Sequence, residues 1–259
     1  MKAVIFAGGF GSRISELTVD IPKPMARIGD LPIMLHLMNI YSNAGVTEFV
    51  IALGYKGEVI KDFFLNFNAL NSDFMINLKT GKFFVAEEGG IPEWKVHCVD
   101  TGLNTATGGR LKRLADKLDL GSKFYLTYGD GLADINVKAT LESHLRSKCE
   151  LTMTVVRPPA RFGEVMVSKA GIVQEFEEKP AINTGWVNGG FFVCNSSVID
   201  KIHSHDEMWE RGPLQRVLAD GGINAFQHEG FWQCMDTKRD YDYLNKLWED
   251  GQAPWCVKS

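Results

Sequence analysis

The sequence predicts an α/β fold, a mostly parallel sheet flanked by helices with a small C-terminal α+β extension, and three observations carry that prediction. Apolar runs of strand length recur at residues 2 to 7 (KAVIFA), 48 to 53 (EFVIAL), 123 to 128 (KFYLTY) and 150 to 156 (ELTMTVV). Helix-period segments such as MLHLMNIYSNAG and VIKDFFLNF fall between them, and strands alternating with helices require crossover connections. The runs show no in/out polar alternation, which fits strands covered on both faces.

In chain order, the first run ends in a glycine cluster, and Gly45 closes the first helical run before VTEFVIAL, as glycine commonly does past a helix end. After about residue 157 the texture changes to the short segments FGEVMVS, GIVQEFEEKP and WVNGGFFVCN, separated by Gly, Pro and Asn. Helical patterns return at PLQRVLADGG and RDYDYLNKLWED. No long Pro/Ser/Gly linker, repeat or low-complexity tract interrupts the chain. Residues 1–259 are therefore expected to form one domain, an α/β core over 1–157 with residues 158–259 packed on it.

The composition, 259 residues of which 45% are hydrophobic and 23% charged, suffices for a sizeable core. A net charge of −4 without a Lys/Arg cluster offers no footprint for nucleic acid or an anionic membrane. Any phosphate must be held by a local site. The opening apolar run stops in glycines, too short for a signal-peptide core or a membrane span, so a cytoplasmic protein is expected. Cys98, Cys149, Cys194, Cys234 and Cys256 lie far apart with no zinc spacing and are expected to be reduced thiols, mostly buried. His203 and His205 read as a solvated loop, since further metal ligands are missing nearby.

The stretch AVIFAGGFGSR asks for a chemical reason. Gly8, Gly9 and Gly11 directly after a strand permit positive φ and close approach of backbone N–H groups to an anion. No Walker A pattern can be aligned, and Ile14 breaks G-x-G-x-x-G. Taken alone, the loop is equally a phosphate cradle or a tight turn. Arg13 and Lys23 add cations that could neutralise phosphates held by such a loop. Pro22 and Pro24 stiffen the backbone that presents Lys23.

AGGFGSR followed by PKPM resembles the signature of the sugar-phosphate nucleotidyltransferases, G-G-x-G-T-R and then P-K-P, with Ser12 where threonine is usual. The likeness continues through VDTGLNTATGGRLKR, TYGDGLADIN, RFGEV, FEEKP, WVNGGFFV, GFWQCMDTKRD and APW. Together these segments resemble the glucose-1-phosphate cytidylyltransferase branch over nearly the whole chain. PPARFG, where that branch more often has glycine before the arginine, and EFEEKPAINTGW, which lacks a basic run after EKP, are departures that bear on the acceptor.

The resemblance implies a Rossmann-like, GT-A-like nucleotidyltransferase fold in which CTP and α-D-glucose 1-phosphate give CDP-glucose and pyrophosphate. It implies Mg²⁺ held by Asp130 and Asp236, and nucleotide binding by Gly8, Gly9, Phe10, Gly11, Ser12, Arg13, Lys23, Thr105 and Arg110. Arg13 and Lys23 carry the catalytic charge. Glu178, Lys179, Asn188 and Gly189 match the sugar-phosphate side, so residues 158–259 become the sugar-binding and oligomerisation part of a homo-oligomer. Asp130 follows a predicted strand, the place where open α/β sheets bind ligands. The attacking phosphate oxygen is already anionic, so no general base is required. The bland alternatives are a solvated helix-start arginine for Arg110, a hairpin end for Glu178 and Lys179, and core or interface packing for the six tryptophans. The same chemistry with dTTP, UTP or another acceptor, and a non-catalytic nucleotide-sugar-binding regulatory protein, remain as other readings; the presence of Arg13, Lys23 and Asp130 favours catalysis.

Overall fold

The computed structural model describes residues 1–11, 14, 18–85, 92–158, 164–177 and 185–256. Seven strands form one sheet: β1 (Lys2–Ala7), β2 (Glu48–Leu53), β3 (Lys95–Asp100), β4 (Lys123–Tyr128), β5 (Leu151–Val156), β6 (Val187–Asn195) and β7 (Ile223–His228). Their spatial order is β7-β5-β6-β4-β1-β2-β3. β1 runs parallel to β2 and β4, with Ala3 opposite Phe49 and Lys2 opposite Phe124. β2 and β3 are parallel, as are β5 and β7. β6 is antiparallel to both its neighbours.

The missing alternation has a direct structural cause. Ala3, Ile5 and Ala7 of β1 pack into one apolar cluster with Ile33, Leu37 and Phe49, whereas Val4 and Phe6 pack into a second with Leu111, Leu114 and Trp209. Helix α1 (Ile33–Ser42) covers the first face, together with α2 (Gly57–Leu65). Helix α3 (Thr107–Lys117) covers the second. Burying each Leu or Ile side chain on these faces contributes roughly 1.5–3 kcal/mol. α1 gives way to Gly45 at φ +92, a conformation that suits glycine. Further helices are α4 (Val137–Ser147), α5 (Gly212–Ala219) and α6 (Lys238–Glu249), besides one short turn of helix at Phe67–Leu70, and α6 is started by a capping box between Thr237 and Asp240.

The structure adds strands and helices that the apolar runs do not announce. β3 (KVHCVD) and β7 (INAFQH) are the sheet edges and are only partly buried, so their sequences are more polar. α3 and α4 carry charged faces, and apart from the helix start considered at Arg110 no apolar run marks them. Among the described residues four two-stranded ribbons pair apart from the main sheet, two of them being Phe74–Ile76 with Phe83–Val85 and Glu164–Val167 with Val173–Glu177. The expectation of mostly buried cysteines needs correction. All five are free, but only Cys194 is buried, Cys256 is exposed and the others are half-buried, because the sites flanking β3, α4 and residue 234 remain open to solvent. Trp209 and Trp255 sit in the core. Among the described residues no helix is long and apolar enough to cross a membrane.

Candidate active site

The site lies at the carboxyl ends of β1 and β4. The chain leaves β1 through Gly8 to Gly11, and Gly11 takes φ +64. Gly8 is glycine for a different reason: a Cβ there would lie 2.3 Å from the Arg110 guanidinium carbon. Nothing lies within 4 Å of the Cβ position of Gly9, so its backbone faces open space. The Phe10 ring is half exposed and stands 5.3 Å from that of Tyr55. Gly9, Gly11, Lys23, Thr107, Asp130 and Asp236 line one cleft of about 310 Å³.

Lys23 opens a 3-10 turn, Lys23–Met25, entered from extended Pro22 and continued by Pro24. That fixed start points the side chain into the cleft. Its Nζ donates to Asp130 Oδ2 at 2.6 Å and to Asp236 Oδ1 at 2.7 Å. Burial works to lower the pKa of Lys23, but the charges and hydrogen bonds of Asp130 and Asp236 outweigh it and hold the ammonium above the usual lysine value. The two aspartates meet because short strands Gly131–Ala133 and Trp232–Cys234 pair antiparallel, with Gly131 opposite Cys234 and the Met235 N–H donating to the Asp130 carbonyl at 2.8 Å.

Two carboxylate oxygens converging on one cationic atom also form a donor set suited to a hard cation. Mg²⁺ is commonly bound by one or two carboxylates, with phosphates and water completing its shell. Among the described residues no cluster of three or more His, Cys, Asp or Glu forms a ready-made metal cage. The pair at Lys23 therefore fits a metal that arrives with a polyphosphate.

Arg110 corrects the solvated-arginine alternative. It lies in the first turn of α3, is 4% exposed, and donates to protein oxygens: Nη1 to Leu53 O, Thr101 Oγ1 and Gly102 O, and Nη2 to Gly8 O and Leu103 O, all within 2.8–3.1 Å. It thus ties the glycine loop to the end of β2 and to the 101–103 segment. Burial, with Arg113 nearby, lowers its pKa, and Asp100 opposes the shift. Thr105 is nearly buried behind the same segment.

Asn188 and Gly189, on β6, line a smaller hollow of about 60 Å³ together with Tyr128, Asp130 and Trp232. Asn188 Oδ1 accepts from Gly190 N at 2.8 Å, and Trp232 Nε1 donates to Gly189 O at 2.7 Å. Tyr128 and Asp130 border both hollows. Ser12, Arg13, Glu178 and Lys179 lie outside the described residues. A larger hollow of about 440 Å³ sits beside β3, lined by Phe64, Phe67, Trp94 and Val96, with Lys61 the charged residue among the described ones that line it. Among the described residues, its lining holds neither paired carboxylates nor a glycine backbone of the kind that a metal-bound polyphosphate needs.

Sequence reasoning missed two residues of the cleft wall, Tyr128 and Thr107, and Glu210 behind them. Tyr128 immediately precedes the Gly129–Asp130 pair, Thr107 begins α3, and both hydroxyls donate to Glu210, Thr107 at 2.9 Å. Burial first, and then the Glu210 charge, push the Tyr128 hydroxyl pKa far up. Tyr128 and Thr107 stand inside segments already notable for other residues. Glu210, in a turn far along the chain, gives no local signal.

Comparison with known proteins bears on this site. The sequence model of the nucleotidyl transferase family matches residues 2–250. A glucose-1-phosphate cytidylyltransferase of Salmonella typhimurium is 47% identical over 98% of this chain and 98% of its own. A mannose-1-phosphate guanylyltransferase 1 of Arabidopsis thaliana is 30% identical over 93% of this chain and 63% of its own. The crystal structure of HddC from Yersinia pseudotuberculosis superposes with a TM-score of 0.68 at 24% identity, covering 95% of this chain and 99% of that one, a likeness of fold.

Proposed function

The chain belongs to the nucleotidyl transferase family, and from that premise we propose that it is an enzyme transferring the cytidylyl group of CTP to α-D-glucose 1-phosphate, releasing pyrophosphate. The observation that carries nucleotidyl transfer is Lys23 held between Asp130 and Asp236 beside the glycine loop. The choice of CTP and glucose 1-phosphate is supported by the near-full-length match to a cytidylyltransferase.

The phosphate oxygen of the sugar phosphate forms a bond to the α-phosphorus as the bond from that phosphorus to the bridging oxygen breaks. The electron pair leaves with pyrophosphate, and no proton must be taken from the nucleophile. The protein's task is to align two polyanions and meet the charge that develops. Backbone N–H groups of Gly8, Gly9, Phe10 and Gly11, with Ser12 and Arg13 in the same loop, hold the nucleotide phosphates; Thr105 borders the nucleotide, and Arg110 fixes the loop from behind. Lys23 leaves its carboxylates and meets the α-phosphate. Asp130 and Asp236 would hold Mg²⁺, which when bound would supply charge neutralisation at the phosphates. Glu178, Lys179, Asn188 and Gly189 receive the sugar phosphate.

One domain does this work, a reading supported by β6 and β7 lying in the same sheet as β1. The enzyme acts as a homo-oligomer in the cytoplasm, where CTP is made. Oligomerisation is supported by the exposed apolar side chains of two of the ribbons, Phe74, Met75 and Phe84 on one and Met166 and Val173 on the other. The test is a panel: purified protein, Mg²⁺, each NTP and a set of sugar 1-phosphates, read by pyrophosphate release. CTP with glucose 1-phosphate should give the highest kcat/KM. A better pair with dTTP, UTP or GTP would move the substrate assignment to that nucleotide.

A further inference from the structure

Gly108 and Gly109, in the first turn of α3, are unexplained by substrate binding. Each glycine inside a helix costs about 1 kcal/mol relative to alanine, so an adjacent pair calls for a packing reason. The turn over residues 205–209 supplies it. A Cβ on Gly109 would lie 1.9 Å from the His205 carbonyl oxygen, and one on Gly108 2.8 Å from that of Glu207. With no side chains in the way, the Gly109 N–H donates to the Glu207 carbonyl at 3.2 Å. The turn is pinned from below by Trp209, whose side chain is wholly buried with its ring 6.2 Å from that of Phe192, and whose backbone N–H donates to Thr107 Oγ1 at 2.8 Å.

The next residue is Glu210. One of its carboxylate oxygens accepts the Thr107 hydroxyl at 2.9 Å, and the other accepts the Tyr128 hydroxyl. Thr107 borders the nucleotide side of the cleft, and Tyr128 borders both the cleft and the sugar-side hollow. The Tyr128 ring is held by Phe6 at 5.9 Å and Phe192 at 6.0 Å, and Gly190 lies so close that a Cβ there would meet the ring at 2.7 Å. Glu210 fixes the one end of the side chain that these contacts leave.

We infer that Glu210 is a positioning residue for nucleotidyl transfer: it locks the Tyr128 wall shared by the two substrate hollows to the first residue of α3, so that the sugar phosphate is held in line with the nucleotide. The inference rests on the reaction proposed above. A carboxylate is suited to the task because it accepts two hydroxyl protons at once through charge-assisted bonds. Glutamine has the same size but a single acceptor oxygen, and it must turn an N–H₂ donor toward one of the two hydroxyls.

The test compares Glu210→Ala, Glu210→Gln, Tyr128→Phe and the Glu210→Ala/Tyr128→Phe double variant, varying each substrate in turn. Losing the lock should lower kcat/KM for glucose 1-phosphate by roughly 10- to 100-fold in Glu210→Ala, since misplacement by an ångström can cost that much, while KM for CTP changes by less than about 3-fold. Glu210→Gln should recover part of the loss. The double variant should be no worse than the poorer single one, because both changes break the same contact. The inference is overturned by unchanged sugar-phosphate kinetics in Glu210→Ala, by multiplying losses in the double variant, or by an equal loss toward both substrates that Gln does not relieve. If Glu210→Ala does not fold, Glu210→Gln and Tyr128→Phe decide: wild-type kcat/KM for the sugar phosphate in both overturns it. The wild-type protein run against each NTP separates this from the substrate assignment. Should another NTP prove the better substrate, the same four variants are compared with that NTP.

Discussion

Lys23, partly buried, and Arg110, buried, are both cations beside the glycine loop, yet their surroundings are opposite. Lys23 faces two carboxylates, and Arg110 faces neutral carbonyls with one threonine hydroxyl. An ammonium held by charges is released when another cation takes those carboxylates. A guanidinium threaded through five backbone and hydroxyl oxygens has nowhere else to go. The contrast separates a cation that can change partners during the reaction from one that holds the frame in which the change occurs.

The comparison breaks hardest at Lys23. Removing a donor aimed at developing charge lowers kcat on the order of 10²-fold or more, so Lys23→Ala should show that loss with both substrates saturating. A fall confined to KM would put Lys23 in ground-state binding instead. Next come its partners. Asp130→Asn and Asp236→Asn should each reduce turnover by about 10- to 100-fold at limiting Mg²⁺, each losing a charged oxygen donor; a Mg²⁺ titration of steady-state rate checks this, and full activity of either variant takes that residue out of the metal site.

Arg110 should fail in another way. Arg110→Met leaves buried oxygens without donors, and with about 1–3 kcal/mol at stake for each unsatisfied group a loss of about 3 kcal/mol is expected. Calorimetry should find Tm lower by roughly 6–12 °C, with KM for the nucleotide raised more than kcat is lowered. Arg110→Lys should restore little, since an ammonium cannot span the same oxygens. A stable variant with wild-type nucleotide KM would remove Arg110 from the frame.

The smallest effect sharpens the comparison through pH. The pKa of Lys23 is raised on folding, so the stability its ion pairs give is fully present below the ordinary lysine value of 10.5 and is lost as pH climbs through the raised one. The stability difference between wild type and Lys23→Met should therefore stay flat from about pH 6 to 10 and shrink only at higher pH. Denaturant midpoints across that range measure it, and a change near neutrality would contradict the sign.

What the sequence disclosed follows burial. KAVIFA, EFVIAL and KFYLTY coincide with β1, β2 and β4, and ELTMTVV contains β5, because strands covered on both faces are apolar at most positions, with buried Thr127, Thr152 and Thr154 among the exceptions. The edges β3 and β7 escape that rule, since one side of an edge strand needs no hydrophobic partner. Charged α3 and α4 lack a broad apolar stripe, so little in the sequence marks them beyond the helix start considered at Arg110. The glycine loop, Lys23, Asp130 and Asp236 were legible as motif residues. Their convergence on one nitrogen was not, because the pairing of 131–133 with 232–234 is a tertiary event. Glu210 was invisible for the same reason.

β6 enters the sheet between β4 and β5, two strands that precede it in the chain. During synthesis, a chain grown to residue 186 has both of those strands but not the one that joins them, and each offers an open, apolar edge. Such edges template pairing with other chains. The nascent protein thus passes through a stage whose chief hazard is association with its neighbours on the polysome, closed only when β6 emerges and zips two halves into one.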